Sequence, residues 1–176
     1  MAKLRKGVTS RALQNAYTRK SKYRKKSYIR SVPNNKIVKF DMGDLSKDFP
    51  VQFVLKSKQD VQLRHNCLES ARKTALKILE KKLGKEGFRL KIRVYPHHIV
   101  RENPLASGAG ADRMSTGMKM AFGKAVNIAA RVFKNQPVMD VNVDVLNKAV
   151  ASQSLTRAYK KLPGKYLIEE VKVKSA

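Results

Sequence analysis

The sequence predicts an α+β fold: a single domain with a mixed or antiparallel sheet packed by two helices, preceded by a basic N-terminal arm. Three observations carry this expectation. Segments that alternate apolar and polar residues flank two stretches of helical spacing, without the strict alternation that builds a parallel sheet. Turn signals such as Pro33-Asn34-Asn35 and Asn135-Gln136-Pro137 divide them. The first forty residues, by contrast, have no clear apolar face and no Asp or Glu. The arm is therefore placed at 1–35 and the folded domain at 36–176, and no internal repeat is visible.

Taken in order, Lys36–Phe40 reads as a short strand after the first turn. Val51–Lys56 is clearer, because Val51, Phe53 and Leu55 alternate with Gln52 and Lys56. Asp60 to Leu83 reads as the first helix. Asp60 is its N-cap, and Leu68, Ala71, Ala75, Ile78, Leu79 and Leu83 form its stripe. Gly84 stops it, and Lys77, Lys81 and Lys82 sit in its last turns, where the helix dipole favours cations. The next strand is the cleanest. Phe88, Leu90, Ile92 and Val94 face inward, while Arg89, Lys91, Arg93 and Tyr95 face outward.

After Pro96 the chain passes Ile99-Val100 and enters an irregular stretch at 101–117. Val126, Ile128, Ala130 and Val132 alternate, as do Met139, Val141 and Val143. A second helix is expected over Val145 to Lys161, capped by Asp144, carrying Leu146, Ala149, Val150 and Ala158, and ended by Pro163-Gly164. Tyr166 to Val173 reads as a final edge strand.

Charge limits the possible partners. The 176 residues include 39 Lys and Arg against 13 Asp and Glu, a net charge of +26. Self-repulsion on this scale calls for a polyanionic partner. No apolar run approaches the roughly 18 residues of a membrane span, and no apolar segment follows the basic N-terminus as in a secretory signal. Cys67 is the single cysteine, so a reducing compartment is expected and no disulfide can form within the chain. His97 and His98 are adjacent, so on an extended segment they point to opposite faces. With His65 as the third histidine they make a poor ligand set, and no metal or other cofactor is expected.

The arm indicates which polyanion. Arg11, Arg19, Lys20, Lys22, Arg24, Lys25, Lys26 and Arg30 are interleaved with Tyr17, Tyr23 and Tyr28. Such a segment neutralises phosphates while its rings stack on bases, which favours RNA over DNA. Alone it buries too little apolar surface to order itself. The outward row Arg89, Lys91, Arg93, ending in Tyr95, is a second surface suited to a phosphate backbone.

The stretch 101–117 is long for a compact domain, and such loops are usually functional or disordered. Its small residues, Ala106, Ser107, Gly108, Ala109, Gly110 and Ala111, allow close backbone approach, and Arg101 and Arg113 bracket them. One reading is a finger pushed into an RNA pocket and held by two arginines on phosphates; the other is a mobile surface loop. A nucleotide-binding loop fits poorly, since Arg113 stands where a third glycine is needed and no Lys-Ser/Thr pair follows. Catalysis also finds little support. Asp112 sits beside Arg113, which explains it as a salt bridge or turn residue, and the adjacent histidines have no nucleophile nearby in sequence.

Several motifs then occur in a familiar order. They are Gln62-Leu63-Arg64-His65-Asn66, Glu69-x-Ala71-Arg72, Arg93-Val94-Tyr95-Pro96-His97-His98, Arg101-Glu102-Asn103, and Gly108-Ala109-Gly110-Ala111-Asp112-Arg113. Gly117-Met118, Ala121-Phe122-Gly123-Lys124 and Ala129-Ala130-Arg131-Val132 follow, and the tail contributes Tyr28-Ile29-x-x-Val32-Pro33-x-x-Lys36-Ile37. The chain resembles the large-subunit ribosomal protein family called number sixteen in bacteria and ten-e in archaea and eukaryotes, over roughly residues 17 to 165. Its length and tail look closest to the archaeal members.

The resemblance implies an α/β-hammerhead core and a structural, non-enzymatic role on large-subunit ribosomal RNA near the peptidyl-transferase region. It implies neighbouring ribosomal proteins as partners and no homo-oligomer. The loop at 103–115, with Asn103, Ser107, Gly108, Ala109, Gly110, Ala111 and Asp112, would reach toward P-site tRNA. Arg101 and Arg113 would anchor it on RNA. Arg64, His65, Arg93, His97 and His98 would lie on or support the RNA-facing side, and Arg89, Lys91, Lys119 and Lys124 are further candidate RNA-binding residues. Two departures fall just after the loop: Ala125 replaces a usual proline, and Asn127-Ile128 a common Gly-Thr. A DNA-compacting architectural protein shares the charge, and an RNA-modifying enzyme would add a small-molecule donor site; both stay open at this level.

Overall fold

A computed structural model gives the fold and describes residues 10, 11, 13, 29, 31–103, 108–115, 117, 118 and 122–172. Tyr17, Arg19, Lys20, Lys22, Tyr23, Arg24, Lys25, Lys26, Tyr28, Arg30, Ser107 and Lys119 lie outside the described residues. The elements are β1 (Asp41–Gly43), β2 (Val51–Ser57), β3 (Val61–Arg64), α1 (His65–Leu83), β4 (Phe88–Ile92), β5 (His98–Glu102), α2 (Ala111–Met114), β6 (Lys124–Val132), β7 (Pro137–Val143), a 3₁₀ turn over Val145–Asn147, α3 (Lys148–Tyr159) and β8 (Tyr166–Lys172). The fold is α+β. Its strands form two sheets, a five-stranded one ordered β1-β4-β7-β2-β8 and a three-stranded one ordered β3-β6-β5. Every pairing is antiparallel.

The five-stranded sheet buries one face under the two long helices. Val51, Phe53 and Leu55 of β2, Phe88, Leu90 and Ile92 of β4, and Met139, Val141 and Val143 of β7 all point into the core. Against them α1 sets Leu68, Ala71, Ala75 and Leu79, a stripe at spacings of three and four. From α3 come Ala151, Ser154, Leu155 and Ala158. The alanines bring the helix axes close, and the Ser154 hydroxyl donates to the Ala151 carbonyl (2.7 Å), so this buried polar group is satisfied. Gly43 closes the β1 edge at φ +88°, where a Cβ would lie 2.0 Å from the Phe88 carbonyl oxygen; only glycine fits.

A second, smaller apolar cluster joins Ile99 of β5 and Ile128 of β6 to Ile29, with Ala125 packed against them. Ile29 is buried although the sequence reading places it in the arm. Between Val100 and Arg101 the β5–β6 register slips, because Val100 pairs with Asn127 and Arg101 with Ala125. The bulge leaves Val126 unpaired between the two positions where the sequence departs from the family pattern.

Several boundaries differ from the sequence expectation. Val61–Arg64 is a strand and not the first turn of a helix. Asp60 does not cap α1, because its carboxylate accepts from the Lys134 backbone N–H (2.8 Å) across the sheet. Lys36–Phe40 is not a strand. The Lys36 and Ile37 N–H groups donate to His65 Nδ1 (3.2 Å) and Asn35 Oδ1 (3.0 Å), and ladder pairing starts only at Asp41. The second helix begins at Lys148. Asp144 instead starts the 3₁₀ turn and accepts from Lys47 Nζ at 3.0 Å, while Leu146 is exposed. The stretch 101–117 is not wholly irregular, since β5 runs to Glu102 and α2 occupies four residues.

Candidate nucleic-acid interface

The three-stranded sheet has one apolar and one cationic face. Pairing places Gln62 opposite Arg131, and Arg64 and His98 on either side of Ala129, so these side chains share a face. The opposite face carries Val61, Leu63, Ala130 and Val132 into the core. Among the described residues, the Nε atoms of Arg64 and Arg131 are buried with no hydrogen-bond partner. An orphaned buried donor costs about 1–3 kcal/mol, more when charged, so both guanidinium groups gain from an incoming oxygen acceptor. Arg131 also stands 5.5 Å over the Phe133 ring, itself half exposed.

His98 lies buried at the start of the edge strand β5 on this face. Burial first, then Arg131 and Arg101, holds its imidazole below the usual histidine value. His97, its neighbour, is exposed, as expected for adjacent residues on an extended segment. Its ring meets Tyr95 at a tilt (4.5 Å between ring centres, 43° between planes), and Tyr95 stacks on Phe40 (5.3 Å). Tyr95 is half exposed, so the row offers a face on which a base can stack.

The outward row of β4 points to the surface as expected, but two of its cations already have protein partners. Arg93 pairs with Asp140, and Lys91 Nζ lies 3.7 Å from Asp41. Burial pushes the Asp140 carboxyl up, opposed by Arg93 and by the Gln52 amide, which donates at 3.0 Å. Arg89 alone of the three keeps a buried, unpartnered Nε among the described residues. The five-stranded sheet's outer face is therefore mostly charge-balanced, and the row is less available to phosphate than its sequence implies.

His65 has an internal task. It is buried at the start of α1, where its Nδ1 receives the Lys36 N–H. Burial, then Lys36 and Arg64, lowers its pKa. Both histidines are thus held neutral in the fold, whereas an unfolded histidine titrates near about 6.5. Above that value their contribution to stability is fully present. As pH falls through the depressed folded values the unfolded chain binds more protons, and the contribution is lost. The urea midpoint should therefore drop between pH 7.5 and 5.5, and His65→Gln with His98→Gln should flatten that dependence. An unchanged midpoint in the wild-type chain would contradict the assignment.

Arg101 acts inside the protein as well. Its Nη1 donates to the Phe122 carbonyl (2.7 Å) and its guanidinium lies 3.7 Å over the Phe122 ring. It clamps the two ends of the loop together, an internal contact that the sequence did not announce. Gly123 completes the clamp at φ +79°, where a Cβ would stand 2.7 Å from the Glu102 carbonyl. Gly123→Ala should cost about 1–3 kcal/mol of local stability. Hydrogen exchange should quicken at 99–102 and 124–128 with α1 amides unchanged; uniform protection would refute this.

At the loop's far end the backbone turns through Gly108 to Arg113, with Ala111 N–H donating to Gly108 O and Arg113 N–H to Gly110 O. Ala109, Gly110 and Arg113 are exposed, Asp112 is a residue of α2, and Asn103 is half-buried at the loop's base. Lys124 and Arg11 are exposed. Sequence reasoning missed Arg131 as an interface residue. The alternation of Ile128, Ala130 and Val132 was its signal, since it places residue 131 on the opposite face from the core. No helix among the described residues is long and apolar enough to cross a membrane.

Comparison with known proteins matches this arrangement to one family. Residues 18–169 match the family described as ribosomal protein L16p/L10e. A Methanococcus aeolicus protein named large ribosomal subunit protein uL16 is 47% identical over 146 residues, covering 83% of this chain and 84% of that relative. Its namesake in Methanoculleus marisnigri is 45% identical over 157 residues, covering 89% and 92%. That of Methanospirillum hungatei is 42% identical over the same length and coverage. With the family match spanning most of the chain and relatives this similar over most of both lengths, the chain belongs to the ribosomal protein L16p/L10e family.

Proposed function

We propose that this chain is a structural constituent of the large ribosomal subunit in the cytoplasm, binding large-subunit ribosomal RNA alongside neighbouring ribosomal proteins. The observation that carries the reading is the match, over most of both chains, to relatives named for that subunit. The face of Arg64, Arg131 and His98 supplies the chemistry, because its orphaned guanidinium donors suit phosphate oxygens. The arm, residues 1–35, wraps RNA with its cations and tyrosines, and the domain 36–176 presents the sheet face. The protein acts as a monomer. The loop at 103–115, clamped at its base by Arg101, extends toward P-site tRNA, and Arg113 meets RNA near the tip. The role is positional and not enzymatic. Family membership leaves the DNA-compacting and RNA-modifying alternatives without support.

Sedimentation of cell lysate through a sucrose gradient at moderately high salt tests this reading. The protein should travel with the large subunit and crosslink to its RNA from Arg113. A protein that stays at the top of the gradient, or follows DNA, would overturn it.

A further inference from the structure

The cations of the long helices are not used by the interface described above. Lys73, Lys77, Lys81 and Lys82 of α1 face Arg157 and Lys161, at and just beyond the end of α3, across a groove of about 590 Å³. Among the described residues, no Asp or Glu lines it. We propose that this groove is a second RNA-backbone site, so that the domain grips ribosomal RNA on its helical layer as well as on the β3-β6-β5 face.

The charge pattern argues for a ligand. Lys73, Lys77 and Lys81 follow at i, i+4 and i+8, about 6 Å apart along the axis at 1.5 Å per residue. Like charges at this spacing destabilise a helix unless something neutralises them. The acids of α1 offset only part of this. Glu69 is held by Arg72 (2.6 and 2.8 Å) and also pairs with Lys73 Nζ at 3.6 Å, at one end of the row. Glu80 stands three residues beyond Lys77, and neither acid lines the groove itself. No Asp or Glu occurs in α3. The outer face of the five-stranded sheet is built differently, with Lys91, Arg93 and Lys56 each set against a carboxylate.

The shape argues for a strand and not a small anion. The cations form a row about 12 Å long from Lys73 to Lys81, with a second row opposite, and do not converge on one point. Their spacing matches successive phosphates along a nucleic-acid strand. Lys82 Nζ donates to Gln153 Oε1 (2.9 Å), which ties the two helices across the groove. Ile78, half-buried, supplies an apolar floor. The inference rests on the ribosomal RNA reading and adds a second point of attachment to it.

The test uses the full chain and intact large-subunit RNA. Lys77→Gln, Lys81→Gln and Arg157→Gln are combined as the groove variant. Lys58→Gln, Lys85→Gln and Lys134→Gln make a control with the same change in net charge. Arg64→Gln with Arg131→Gln makes the sheet-face variant. The groove variant should lose on the order of 10-fold in affinity at physiological salt, and its plot of log affinity against log salt should be shallower by about 2. It should also lose RNA protection at a segment that the sheet-face variant still protects. A groove variant that behaves like the control would overturn the proposal, as would loss of protection at the segment the sheet face covers. If the wild-type chain does not prefer this RNA to duplex DNA of equal length, the ribosomal reading itself fails.

Discussion

Leu90→Asp is expected to abolish the cooperative unfolding transition of the domain. Leu90 is fully buried at the centre of β4, paired with Val141 on one side and Met42 on the other. Removing its side chain forfeits about 2–5 kcal/mol, and an aspartate there must bury a charge or be held protonated, at several kcal/mol more. Domains of this size are commonly stable by only about 5–15 kcal/mol, so the sum approaches the whole. Circular dichroism on heating reads the result. A sharp melt near the wild-type temperature would mean that Leu90 does not face the core, and Leu90→Ala should fall between the two.

Arg64→Gln with Arg131→Gln should have the largest effect on binding while leaving the melt intact. If about ten phosphates are neutralised by the whole chain, log affinity for RNA falls with log salt at a slope of roughly −7 to −9. The double variant should reduce that steepness by about 1.5 and lower affinity on the order of 30-fold at physiological salt. The fold should not suffer, because neither Nε has a protein partner to lose among the described residues. An unchanged slope would remove this face from the interface.

Periodicity made the strands readable. β4 alternates without a break, and β2 and β7 do so apart from Val54 and Val138, because one face of each lies against the helices, whereas β8 sets Leu167 beside Ile168 and Glu169 beside Glu170. The first helix was readable from its stripe but not from its start. Val61-Gln62-Leu63-Arg64 is too short to announce a strand, and a negatively charged residue just before a helix invites a capping assignment. What decided otherwise was remote in sequence: Asp60 bonds to Lys134, 74 residues away. Asp144 misled in the same way, through its contact with Lys47. The cationic sheet face was half legible, since alternation assigns sides but cannot tell which cations find carboxylates. Arg93 stands against Asp140 and Arg101 against Phe122, both through contacts that pairing and loop closure create.

The seat of Ile29 has a consequence for the order in which parts of the protein become rigid. The small cluster it caps underlies the outer ends of β5 and β6, from which the loop springs, and it is separate from the main core. Those strand ends should form their own unit of local opening, with a free energy below that of global unfolding. Whatever holds the arm down raises the occupancy of Ile29 in its seat and so closes that unit. A partner that fixes Ile29 in this seat should therefore narrow the loop's range of motion without touching the loop itself.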